Sequence, residues 1–128
     1  MADVQARLQS LSEEYTKLQQ ELQTAVASQQ KLEAQKQENT NVQKEFSRLK
    51  DGENIYKLVG PVLLKQEKVE AESTVNGRLE FISKELERTE DQIKETQDKI
   101  EKKKGEIIQA QAGLQAGGGA PGKVAAKA

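Results

Sequence analysis

Two runs of apolar residues at seven-residue spacing restrict what this chain can fold into. In the first, Val4, Leu11, Leu18, Ala25, Leu32, Asn39 and Phe46 keep strict register, and Leu8, Tyr15 and Leu22 occupy the position four residues after each of the first three. In the second, Leu79, Leu86, Ile93, Ile100, Ile107 and Leu114 hold one position, while its partner position starts with Val75 and Ile82 and turns polar at Thr89, Thr96 and Lys103. Two apolar positions per heptad make the seam of a coiled coil. After Gln29 the first run changes phase, since Val42 and Leu49 lie three residues after Asn39 and Phe46. A coiled coil tolerates a local irregularity of that kind.

Composition supports extended helices over a compact globule: 34% hydrophobic, 3% aromatic and 32% charged residues leave too little apolar surface for a conventional core. Disorder fits less well, because 20 basic residues nearly cancel 21 acidic ones and there are only 2 prolines. Strong helix formers fill the positions between seam residues, and pairs such as Glu95 and Lys99 stand at the i,i+4 spacing that supports a helix. The arms are expected over residues 3–50 and 69–114, ~70 Å each at helical rise. Arms of equal length around a short connector fold back on each other, which sets Phe46 opposite Val75, Leu22 opposite Ile100 and Tyr15 opposite Ile107. The expected fold is therefore mainly α, a long antiparallel coiled-coil helical hairpin. Asp3 is a candidate cap for the first helix and Asp51-Gly52 a stop signal. Ser73 is an alternative cap for the second, and Asn76-Gly77 is a turn signal within it. Residues 115–128, rich in Gly and Ala, lack apolar periodicity and are expected to form a disordered tail.

The connector, residues 51–68, is of a different character. Within "NIYKLVGPVLLKQE", Ile55, Tyr56, Leu58, Val59, Val62, Leu63 and Leu64 crowd around Gly60-Pro61. Two apolar runs of strand length meeting at a Gly-Pro pair predict a β-hairpin inserted between the two helices, with Pro61 in the turn or at the first strand position. Apolar side chains fall on both of its faces, so neither face can rest in water. A lone two-stranded hairpin is marginal in water. Either it packs on its own helix ends, or the missing strands come from other subunits, which would make these residues a subunit-assembly surface.

Nothing in the sequence is set up for catalysis. No His or Cys is present, which removes the usual zinc, thiol and imidazole sites, and no glycine-rich phosphate loop occurs. No catalytic, cofactor-binding or metal-binding residues are expected, and neighbouring carboxylates such as Glu13-Glu14, Glu85-Glu87 and Glu90-Asp91 read as solvated helix faces. A formal charge of −1 gives no general attraction to nucleic acid or anionic membrane. No run is long and apolar enough to span a bilayer, and "MADVQARLQ" has no apolar signal core. Together with the absence of cysteine this points to a cytoplasmic location. Lys102-Lys103-Lys104 reads as a solvated basic patch, with contact to an acidic partner as the other reading.

"NIYKLVGPVLLKQE" followed by "GRLEFISKELER" resembles the β-type subunits of prefoldin, and the helix–hairpin–helix plan covers residues 3–114. A connector of this length has room for one hairpin, as in the β-type; the α-type carries two. The resemblance implies an ATP-independent cochaperone, a hetero-hexamer of two α-type and four β-type subunits whose hairpins form a double β-barrel platform. Six coiled coils project from it, and their free ends hold unfolded clients, chiefly actin and tubulin, for delivery to the cytosolic chaperonin. Asn76-Gly77 and the glycine-rich tail depart from that pattern.

On this reading the far ends of the arms bind clients. There Val4, Leu8 and Leu11 meet Ile107, Ile108 and Leu114, with fewer neighbours to cover them than residues in mid-seam have. The competing reading of these residues is that they are ordinary seam positions, and that of the whole chain is a structural tether or cytoskeletal linker that dimerises in parallel through its arms. Such a tether has no use for equal arms around a two-faced apolar insert, and an enzyme is less compatible still.

Overall fold

The computed structural model describes residues 2–50 and 52–117. Helix α1 spans Ala2–Arg48, strands β1 and β2 span Ile55–Val59 and Val62–Gln66, and helix α2 spans Lys68–Gly117. The architecture is the expected one, two long helices with an inserted antiparallel hairpin. Contacts divide the chain into two compact units. The terminal unit joins α1 up to Val26 with α2 from Asp91, and the hairpin unit is Ala27–Glu90.

In the hairpin unit the buried residues are Ala71, Val75, Ile82, Leu86 and Thr89, a 3–4 alternation along α2 that presents one stripe to α1. Phe46 and Val75 line the same cavity beneath the hairpin, and the Gln43 side chain donates to that of Asn76 at 2.7 Å across the two helices. In the terminal unit Leu11, Ala25, Thr96 and Ile100 are buried, and the Lys103 ammonium reaches Glu14 of α1 at 2.6 Å. Both cross-helix contacts join an early residue of α1 to a late one of α2, or the reverse, so the segments run antiparallel within each unit.

The polar stretch of the second seam is accommodated, not avoided. Thr89 and Thr96 are buried, and their hydroxyls donate to the carbonyls of Glu85 and Gln92 one turn back, at 2.8 and 2.7 Å. Among the described residues no buried side-chain polar atom lacks a partner.

Three details differ from the sequence expectation. Val42 is 42% exposed although it lines the cavity beneath the hairpin with Phe46 and Val75. Asp3 lies inside the first turn of α1, not before it, where its carboxylate faces the positive end of the helix dipole. As expected for an arm over residues 69–114, Asn76 and Gly77 are helical, and α2 begins at Lys68; burial of Val75 and Ile82 on either side outweighs a propensity loss of about 1 kcal/mol for glycine. Helix α2 also continues three residues past Leu114, to Gly117. Asp51 and the tail from 118 to 128 lie outside the described residues. Past α1 the turn is closed by Glu53, whose carboxylate accepts from the Lys50 amide at 3.0 Å while its own amide donates to the Lys50 carbonyl at 3.1 Å. Gly52, at φ 90°, supplies the left-handed backbone that this turn requires.

Candidate binding surfaces

The hairpin register follows from its turn. Val59 pairs with Val62 across Gly60-Pro61, and Gly60 has φ 57°. A positive φ at the first central position is what a two-residue type II′ loop demands, and Pro61, at the second, is spared from donating to the ladder. The remaining pairs are Ile55 with Gln66, Tyr56 with Lys65, Lys57 with Leu64 and Leu58 with Leu63. Side chains alternate across the sheet. One face therefore carries Ile55, Lys57, Val59, Val62, Leu64 and Gln66; the other carries Tyr56, Leu58, Leu63 and Lys65.

Only Ile55 and Gln66, at the base, are half-buried. Tyr56, Leu58, Val59, Val62, Leu63 and Leu64 are all exposed, with Leu58 at 69% and Leu63 at 63%. Packing on its own helix ends thus covers the root of the hairpin and not its length. Both outer strand edges are unpaired among the described residues, since the sheet has two strands.

In the terminal unit the six residues expected at the free ends divide into three groups. Val4, Leu8, Ile107 and Leu114 are half-buried. Ile108 lies off the seam and is 61% exposed, whereas Leu11, at 6%, is a core seam residue with almost no surface to offer. Beside them Lys103 sits at a seam position between two carboxylates, Glu14 at 2.6 Å and Glu106 at 3.3 Å. The hydrogen bond to Glu14, aided by Glu106, raises the Lys103 pKa above its usual 10.5 against an opposing desolvation effect. Lys103 is thus tied into the helix pair, and it lines a shallow groove together with Lys99 and Lys102. That pairing joins residues 89 apart and could not be read from local spacing.

Sequence reasoning also missed Ala71, buried four residues before Val75; extending the seam back one turn finds it. It missed as well a concavity in the hairpin unit lined by Gln35, Asn39, Gly77, Arg78, Phe81 and Ile82. Among the described residues no group of His, Cys, Asp or Glu is arranged to hold a metal, and no helix is long and apolar enough to cross a membrane.

The family profile described as prefoldin subunit matches residues 9–113. The chain belongs to the prefoldin subunit family. It is 42% identical over 125 residues to prefoldin subunit 6 of Homo sapiens, covering 94% of this chain and 96% of that one. Its identity to prefoldin subunit 6 of Saccharomyces cerevisiae is also 42%, over 80% of this chain and 90% of the relative. The crystal structure of the prefoldin beta subunit from Thermococcus strain KS-1 superposes with a TM-score of 0.74 at 26% identity, over 81% of this chain and 91% of that one. As a prefoldin subunit of the β fold, the chain is one component of a complex with other prefoldin subunits.

Proposed function

We propose that this chain is a β-type subunit of a hexameric, ATP-independent cochaperone of the cytoplasm. Its hairpin joins those of neighbouring α-type and β-type subunits, and the free ends of its helices hold unfolded polypeptides, actin and tubulin among them, for handover to the cytosolic chaperonin. The observation that carries the reading is the hairpin: apolar on both faces, open at both edges and exposed along its length. Covering that surface is worth roughly 1.5–3 kcal/mol per large side chain, and strands of other subunits are the natural cover. Antiparallel pairing of Glu14 with Lys103 disfavours the parallel tether.

Client holding needs no nucleotide. Val4, Leu8, Ile107, Ile108 and Leu114 offer small apolar contacts, each weak, and several such ends acting on one unfolded chain combine as multivalent binding with ready release. The test is to purify the assembled complex through this chain, measure its native mass, and repeat with Val4, Leu8, Ile107 and Ile108 changed together to Ser. A hexamer mass in both preparations is expected. Suppression of client aggregation should fall for the variant when complex is limiting; equal protection at every ratio means that the ends of this subunit are not where clients bind.

A further inference from the structure

An exposed phenylalanine alone says little, since single apolar residues are common on protein surfaces. Phe81, at 64% exposure, has a more particular setting. It borders a concavity of about 500 Å³ whose other walls are Gly77 and Arg78, one turn earlier on α2, Ile82 next to it, and Gln35 and Asn39 of α1.

Nothing among the described residues requires a glycine at position 77. Gly77 has ordinary helical φ, and a Cβ added to it meets nothing within 4 Å, so alanine would fit and favour the helix. Gly105 and Gly113 are equally open, so openness is not the argument. What sets Gly77 apart is its place on the floor of an aromatic-walled concavity, where a missing side chain admits close approach from outside.

Charge points to what approaches. Arg78 has no ion-pair partner among the described residues, and no carboxylate lines the concavity. Arg78 also lines the cavity beneath the hairpin, with Ile55, Tyr56 and Phe46. The concavity is therefore contiguous with the proposed assembly surface.

We infer that the Gly77–Phe81 concavity is a second subunit-docking site, which receives an apolar side chain flanked by a carboxylate from a neighbouring prefoldin subunit. The apolar group lies against the Phe81 ring over Gly77, and the carboxylate pairs with Arg78. This rests on the reading of the hairpin as the assembly surface and extends that surface down the helices.

The experiment uses the full chain co-expressed with its partner subunits. Gly77→Gln should raise the melting temperature of the free chain through better helix propensity, yet be out-competed by the parent for incorporation by about tenfold, the effect of filling an interface hot spot. Phe81→Ser should be out-competed likewise with its helices intact. A photoreactive benzoylphenylalanine replacing Phe81 should cross-link to another subunit in the client-free complex. The inference is overturned by unchanged incorporation of both variants, by a lower melting temperature for Gly77→Gln, or by cross-links that form only after a denatured test protein is added, which would make the concavity a client site. The paired substitution Leu58→Lys with Leu63→Glu reports separately on the hairpin. Loss of assembly there with no effect at Gly77 and Phe81 refutes the docking site alone, whereas retained assembly there refutes the hairpin reading.

Discussion

Leu58 and Leu63 face each other directly across the hairpin, and each keeps about two-thirds of its surface exposed. Replacing them with Lys and Glu respectively puts an opposite-charge pair where a leucine pair stood, an arrangement that sustains a cross-strand contact. The free chain should barely respond, because exposed substitutions usually stay within about 0.5 kcal/mol. The complex should respond strongly. Full burial of a leucine is worth about 2 kcal/mol, so the two-thirds still to be gained at both positions amounts to about 3 kcal/mol, or roughly a hundredfold in the association constant. Desolvating the new charges adds to that loss. Circular dichroism of the isolated chain should show unchanged helix content, while native mass spectrometry of co-expressed subunits should show the variant displaced by parent chain. Incorporation at the parent's ratio would falsify the idea that this face of the hairpin is covered on assembly.

Three further predictions concern the helices. A zero-length carbodiimide should join Glu14 to Lys103, 2.6 Å apart, within a single chain; a peptide map with that link only between chains rejects the antiparallel pairing. Because the Lys103 pKa is raised in the folded state, its contribution is fully present below pH 10.5 and is lost as pH rises through the higher folded value. The melting-temperature difference between parent and Lys103→Met should then be constant up to about pH 10 and change only above it; a difference that changes between pH 6 and 9 contradicts this. Finally, Gly105→Ala should stabilise the chain by about 0.5–1 kcal/mol, since the added methyl meets nothing within 4 Å and favours the helix; thermal melting that shows no gain means that the glycine serves a contact outside the chain.

Much of the fold was open to reading from the sequence because seven-residue periodicity is a local signal repeated many times. Val75, Ile82, Leu86 and Ile100 are buried where the heptads place them. Val42, at the seam position the phase change gives it, lines a cavity near the hairpin but stays partly exposed. Asn76-Gly77 did not break the expected helix, because turn propensity acts over two residues while the helix through them is held by packing on both sides. The hairpin was accessible since Gly60-Pro61 limits both the turn type and the register. The hairpin's apolar residues could be picked out by their density alone. Those at the helix ends could not be ranked, because the difference between Leu11 and Ile108 is one of helical phase near a terminus. Glu14 with Lys103, and the grouping of Gln35 and Asn39 with Phe81, depend on which turns of two distant helices meet, and no local pattern carries that information.

The exposed, two-edged hairpin also constrains the chain when it is alone. Each outer edge offers a row of unsatisfied amides and carbonyls beside apolar side chains, the arrangement that templates strand addition by any copy at hand. Self-association of the isolated chain through these edges would make its melting temperature vary with concentration by mass action. In a cell the same edges tie the chain's fate to stoichiometry. A copy made in excess of its partners keeps both edges open and stays exposed to aggregation and proteolysis, while a copy incorporated through the proposed hairpin pairing would have them covered.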